Sequence, residues 1–388
     1  MASNYKKLGQ YIQQVDVRNT DLSVELLLGV SIEKKFIPSI ANTIGTDFSK
    51  YKIVKRGQFA YGPVTSRNGD KISIALLQEA DACLISSSYT PFEIIKPEEL
   101  NAEYLMLLFS NPEFDRYARY NSWGSAREVF SWEELCDSEL YIPDITEQEK
   151  IVKQYKIITN RIDLLNKINF SLYECCKLGY SNLLQGYCIE DNEFPEGWEK
   201  TTIGKYVNVK SGYAFKSNWW QKEGNKVIKI ANIENETINM AECDCVSDLN
   251  SQKANDFWVK EGDLLIAMTG ATTGKIGIVP QMGEKLLVNQ RVGKFYLGED
   301  PFEKLPYLFC VLHTDEVSKQ IHPDGDTGSA QDNLSPDDIK NISILMPSKE
   351  EIDDFNKSYK ALLKITTQNN GEIIYLNELK EKIISKLI

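Results

Sequence analysis

Two stretches decide the fold: GSAREVFSWEELCDSELYIPDITEQ, beginning at Gly124, and GSAQDNLSPDDIKNISILMPSKEE, beginning at Gly328. At a constant offset of 204 residues (124 to 328), Gly124, Ser125, Ala126, Ser131 and Pro143 meet Gly328, Ser329, Ala330, Ser335 and Pro347. Residue classes follow the identities: Glu133, Glu134 and Leu135 face Asp337, Asp338 and Ile339. A repeat this long is a duplicated domain, because solenoid repeats recur every 20–50 residues or so. The match extends upstream. Tyr104-Leu105 corresponds to Tyr307-Leu308, VKRGQFAYG around Gly57 parallels VKEGDLLIAMTG around Gly262, and Lys7–Tyr11 pairs with Thr202–Tyr206.

Each half has the same internal order. KISIALL (71–77), KVIKIANI (226–233), DLLIAM (263–268) and NISILMP (341–347) read as strands, being short and rich in β-branched and aliphatic residues. Helical segments are expected near 102–120 and 305–321, with Gly and Asn punctuating the loops. That is an α+β domain, present twice.

A different texture follows each domain. From Glu147 the chain is charged and proline-free up to Pro195. Ile151, Tyr155, Ile158, Ile162, Leu165, Leu172, Cys176 and Leu183 lie on one seam, interrupted at Asn169 and Gly179. The second such segment opens at Ser348-Lys349-Glu350-Glu351, an N-cap signature. Its seam is Ile352, Phe355, Tyr359, Leu362, Ile373, Leu376, Ile383 and Leu387, with Thr366, Asn369 and Lys380 as polar breaks. A helix of about 39 residues spans roughly 58 Å, longer than a domain of this size. The spacing therefore predicts two long helices packed antiparallel as a coiled-coil spacer. The boundaries are 1–146 and 191–347 for the two domains, 147–190 for the central spacer helix and linker, and 348–388 for the C-terminal spacer helix.

Composition narrows the function classes. The 388 residues are 42% hydrophobic and 26% charged, as in ordinary globular proteins. No apolar run has spanning length and the N-terminus has no signal-peptide core, so a cytoplasmic location is expected. The eight cysteines are scattered, which suits reduced thiols and neither a disulfide framework nor a metal site. The two histidines, His313 and His322, make a histidine general base improbable on composition. GATTGKI (270–276) lacks the spacing and the Ser/Thr of a phosphate-binding loop. We find no Asn/Asp-Pro-Pro-aromatic signature of amino-methyl transfer, so no catalytic residue, metal or cofactor is expected in this chain. Net charge is −12, with 15 basic against 20 acidic residues over 1–146 and 16 against 24 over 191–347. A reader of DNA with this balance needs a partner to hold the backbone.

The duplicated GSA…S…(E/D)(E/D)(L/I)…P block, each copy leading into a heptad helix, resembles the specificity subunits of Type I restriction–modification systems over essentially the whole chain. The second copy has Lys349-Glu350-Glu351 where the first has Glu147-Gln148-Glu149, a conservative departure. The resemblance implies two target-recognition domains, each reading one half of a bipartite site in double-stranded DNA through the major groove. It implies helices that act as a ruler between half-sites and dock two methyltransferase (modification) subunits, with restriction/translocase subunits as further partners. S-adenosylmethionine belongs, on this reading, to the partner subunits. The alternative is a protein-interaction adaptor that never reads DNA, which would account for the acidic charge more simply.

Direct readout uses Arg or Lys for guanine, Asn or Gln for adenine, and Ser or Thr for either. On that chemistry the first domain's candidates are Lys34, Lys35, Arg56, Arg67, Ser86, Ser87, Tyr89, Ser125 and Arg127. The second domain's are Lys210, Tyr213, Lys216, Thr269, Thr272, Thr273, Lys275, Asn289, Gln290, Arg291, Ser329 and Gln331. Trp219-Trp220 is read as a core anchor in preference to an exposed contact.

Overall fold

One strand order occurs twice in the chain. The computed structural model describes residues 4–39, 45–66, 68–124, 127–185, 194–323 and 333–387. It divides into one unit of residues 1–160 with 377–388 and a second of residues 161–376.

In the first unit, β1 (Ile12–Gln14), β2 (Phe59–Tyr61), β3 (Ile74–Leu76) and β4 (Thr90–Ile94) form an antiparallel sheet in the order β1-β4-β2-β3. In the second, β5 (Asn208–Ser211), β6 (Leu264–Ala267), β7 (Ile276–Ile278) and β8 (Val292–Tyr296) form β5-β8-β6-β7, again antiparallel. The orders are the same. The second unit adds a four-stranded mixed sheet containing Asn225–Ile228, Asp244–Val246, Trp258–Val259 and Leu286–Val288. The corresponding part of the first unit has the pair Lys52–Lys55 and Ala82–Ile85 and the hairpin Leu28–Val30/Phe36–Pro38. These unequal additions account for the drifting offset between the halves.

Each sheet packs against a short helix pair. Phe59 and Phe92 stack with ring centroids 4.8 Å apart, Phe109 closes edge-on, and all three are fully buried. Burial of such aromatic area is the main stabilising term. The helices expected over 102–120 and 305–321 are each broken once. Asn111 caps Pro112–Tyr120 by accepting from Glu113 N–H, with Pro112 at the first helical position, so the chain restarts after Ala102–Phe109. Thr314 does the same between Leu305–Leu312 and Asp315–Ile321.

The aligned tyrosines play the same part in both units. Tyr104 donates its hydroxyl to the Tyr141 carbonyl at 3.0 Å, and Tyr307 donates to the Leu345 carbonyl at 2.8 Å. Each ties its helix to the strand that leads into a long helix. The long helices are α1 (Ile145–Gln185) and α2 (Lys349–Ser385). Asp144 caps α1 through Glu147 N–H, and Ser348 with Glu351 forms a reciprocal capping box for α2.

Within the second unit α1 and α2 run antiparallel. Arg161 pairs with Glu372 at 2.7 Å, Asn169 bonds Asn370, and Gly179 faces Tyr359. Leu165 and Cys176 are buried on the expected seam, but Tyr173 and Leu363 are more buried than Leu172 and Leu362. The seam drifts by one residue because α1, besides facing α2, also packs on the globular core of the second unit. Tyr173, Cys176 and Tyr180 join the core around Leu305–Leu312, and in the first unit Val152 joins the core around Phe59. A helix that serves two faces buries a wider stripe than a simple coiled coil. Among the described residues no helix is long and apolar enough to cross a membrane.

Candidate nucleic-acid interface

In the second unit, three connections meet at one end of the β5-β8-β6-β7 sheet. The first, residues 269–275, leaves β6 and returns as β7. It is closed by Ala267 N–H on the Lys275 carbonyl and Gly274 N–H on the Ala267 carbonyl, with Gly270 and Gly274 at φ +80° and +83°. The second, Asn289–Arg291, leads into β8. Asn289 Oδ1 accepts from Arg291 N–H at 3.2 Å, a local turn that leaves Gln290 and Arg291 exposed. The third, Gly212–Trp220, follows β5. Backbone bonds join them edge to edge: Met268 N–H to the Arg291 carbonyl, Gln290 N–H to the Tyr213 carbonyl, and Tyr213 N–H to the Val288 carbonyl. A side chain at Gly212 would collide with the Val288 and Asn289 carbonyls, so glycine is required there.

The polar tips stand on an aromatic base. Tyr213 and Trp219 stack at 6.2 Å with their planes 12° apart, and Phe215 and Phe257 close around Tyr213. Lys216 and Lys253 lie over the Trp219 ring at 5.7 and 4.6 Å, and Lys229 over Trp220 at 3.8 Å. Phe215, Trp220, Lys229, Asn289, Gln290 and Arg291 line one hollow. Trp219 and Trp220 are half-buried at the edge of a small apolar cluster, so they serve as packing anchor and lysine platform at once. Lys229 and Lys253 were not singled out in the sequence. Lys229 directly follows a strand and also pairs with Asp244, Lys253 lies in a short 3-10 helix, and only the fold lays them on tryptophan faces.

The remaining candidates of this unit fall differently. Thr273 is buried, its hydroxyl on the Gly270 carbonyl at 2.7 Å, so it shapes the loop. The hydroxyls of Thr269 and Thr272 are buried with no hydrogen-bond partner among the described residues. Lys275 is exposed at the loop's end. Lys210 stands on β5 itself, over the Tyr296 ring at 5.3 Å.

The same end of the first unit's sheet gathers Ser86–Tyr89, which precedes β4, the loop following β2, and the bridged strand ends at Trp123 and Val129. Thr65 N–H bonds the Glu128 carbonyl at 3.0 Å and Phe130 N–H the Pro63 carbonyl at 2.8 Å, joining the loop to the Val129 strand end. Ser86 and Tyr89 close a turn, Ser87 and Arg127 are exposed, and the Tyr89 hydroxyl accepts from Val30 N–H. Lys35 is exposed on the neighbouring hairpin. Lys34 is not: its ammonium is enclosed against Asp115 at 2.6 Å, and burial holds it below the usual lysine range although Asp115 opposes the shift. Arg56 lies at the opposite end of β2, on Asp81, and is not brought together with the others. Arg67, Ser125, Ser329 and Gln331 lie outside the described residues.

Residues 195–378 match the family described as the Type I restriction modification DNA specificity domain. Nearly half of the chain thus matches a domain of Type I restriction–modification specificity subunits. It is 25% identical over 262 residues to the MjaVIII specificity subunit of Methanocaldococcus jannaschii, covering 64% of this chain and 60% of that one. It is 18% identical to the HindI specificity subunit of Haemophilus influenzae over 93% of this chain and 92% of that one. The chain thus spans somewhat less than two thirds of the MjaVIII relative. The crystal structure of the Type I restriction–modification S subunit from M. genitalium superposes with a TM-score of 0.57 at 14% identity, covering 99% of this chain and 95% of that one, and so shares the fold. Members of the specificity-subunit family therefore match both halves of this chain, including the half that precedes residue 195.

Proposed function

We propose that the chain is the non-catalytic DNA-reading subunit of a cytoplasmic Type I complex, each unit reading one half of a bipartite site in double-stranded DNA. The observation that supports this reading is the repetition: the same end of the same four-stranded sheet collects the exposed loops in both units. Readers on two domains can demand two half-sites at a set separation, and α1 and α2 would be the ruler. Two methyltransferase subunits carrying S-adenosylmethionine supply the chemistry and most of the backbone clamp, which suits the net charge of −12. Restriction/translocase subunits complete the assembly.

Methylation mapping in cells expressing this chain with its methyltransferase tests the reading. The expected result is one two-part motif. Arg291→Ala is expected to relax one half only, by about 1–3 kcal/mol of discrimination at a single base pair. No motif despite a soluble, active complex would favour the adaptor reading.

The methyltransferase would dock on a second apolar stripe of α1. Leu164, Ile168, Cys175 and Leu178 recur at heptad-related spacing and are all exposed, away from the seam with α2. The double charge substitution Leu164→Glu/Leu178→Glu is expected to weaken co-purification of the methyltransferase by about 100-fold while leaving the chain folded. Retention of the partner at wild-type affinity would remove this stripe from the interface.

A further inference from the structure

Trp123 is 65% exposed and Tyr120 80% exposed, three residues apart in the first unit. Singly exposed aromatics are ordinary on a protein surface, but the backbone that carries Trp123 is rigidly mounted. Trp123 and Val129 exchange both backbone hydrogen bonds, at 3.1 and 2.9 Å, and Val129 also bridges to Val64. Phe130, the next residue, is fully buried, and Arg119 pairs with Glu128. Gly124 has φ +142° with no room for a Cβ against the Arg127 carbonyl, so glycine is required directly after Trp123. The backbone on both sides of Trp123 is therefore held while its ring is left to solvent.

We propose that Trp123, seconded by Tyr120, stacks on or between bases of the half-site read by the first unit. This rests on the DNA-reading function proposed above and deepens it. Two features favour nucleic acid over protein as the occupant. The bridged segment is hydrogen-bonded to the loop that follows β2, so the ring is continuous with the candidate reading end. Its neighbours in the chain are polar and charged: Arg116 and Arg119, each paired with a glutamate, and the exposed Arg127. Protein interfaces bury aromatics in an apolar centre, whereas an isolated ring among polar groups suits the face of a base. Stacking of this kind unstacks or kinks a base step, so the step it touches should be a deformable pyrimidine–purine step. No equivalent tryptophan exists in the second copy of the repeat, where the position at the 204-residue offset is Thr327. The two half-sites are then read by different means.

The test uses the full chain assembled with its methyltransferase and site DNA carrying 2-aminopurine at successive adenines. With the wild-type chain, fluorescence should rise at one step of one half-site. Trp123→Ala should abolish that rise and weaken binding roughly 5- to 150-fold, while Trp123→Phe retains most of both and neither variant changes the thermal midpoint. Unchanged affinity and fluorescence in Trp123→Ala overturns the proposal. Loss of the methyltransferase from the Trp123→Ala complex also overturns it, making the ring a protein contact. If the wild-type complex binds DNA without sequence preference, the proposed function fails first and this inference with it.

Discussion

Replacing Asn370 alone by leucine is expected to destabilise the second unit by about 2 kcal/mol, and replacing Asn169 and Asn370 together to restore most of that loss. Asn169 is 5% and Asn370 8% exposed in the α1–α2 seam. Asn369 Nδ2 donates to Asn169 Oδ1 at 2.8 Å, Asn169 Nδ2 donates to Asn370 Oδ1 at 2.7 Å, and Asn370 Nδ2 donates to the Tyr173 hydroxyl at 3.5 Å. Removing one amide strands the donor of the other in an apolar layer, which costs about 1–3 kcal/mol, whereas removing both is nearly neutral. Denaturant unfolding of the two singles and the double measures the coupling; additive losses would sink the idea. The chain of amides also discriminates register. Sliding α1 by one heptad, about 10.5 Å, would set Asn370 against Ile162 or Cys176, and Tyr359 would lose the notch at Gly179, where its ring fits only because no Cβ is present. A single buried polar layer that selects register at some cost in stability is well attested in coiled coils. The double leucine variant is accordingly expected to keep its stability while the gap in the methylated motif loses its single value.

The other large effect lies at Asp263. Its side chain is 3% exposed, bonds the Lys294 ammonium at 2.6 Å and accepts from Lys260 N–H at 2.9 Å. Lys294 sits on β8, directly across from Lys210 on β5 and three residues past Arg291. Asp263→Ala leaves an ammonium largely enclosed without its counter-charge, a change that typically removes 3–5 kcal/mol. On a unit of this size that corresponds to a fall in melting temperature on the order of 10 °C. Replacing both partners, Asp263→Leu with Lys294→Met, should recover most of the loss, because the pair's attraction does little more than offset its desolvation. A drop below 1 kcal/mol in the single variant would show that water reaches Lys294. Since β8 carries the Asn289–Arg291 turn, the single variant is also expected to weaken DNA binding by the assembled complex, and the double to regain it.

Several of these features are legible in the sequence alone. The duplication, the α+β class and the two long helices follow from spacing, because hydrophobic period and capping residues act locally and leave their pattern in adjacent positions. Ser348 with Glu351 is such a case: the capping box was visible in four letters and is present in space. Asn289-Gln290-Arg291 was also visible as three readout-type side chains in a row. By contrast, Lys34 and Arg56 looked like equally good candidates, and nothing local distinguished them from Lys35 or Arg127. Their fates depend on Asp115 and Asp81, which are 81 and 25 residues away. Trp219-Trp220 reads as core in the sequence and is half-buried under lysines in the fold, since whether an aromatic ring is covered on one face or two is set by what packs on it.

The sequence by itself thus determined the chain's architecture: two copies of one domain, each ending at a capped start of a long helix whose apolar residues return every three or four positions. Only the tertiary structure decided which cations are free and which are committed to a buried carboxylate, that Trp123 stands out on a braced segment, and that three separate loops share one end of a sheet. It also decided that the polar breaks at Asn169 and Asn369, which read as weak points of a seam, join Asn370 in one hydrogen-bonded chain. The physical reason is range. Periodicity and caps are enforced by neighbours within a turn or two, whereas burial, ion pairing and loop convergence are settled by residues such as Arg161 and Glu372, brought together from 211 positions apart.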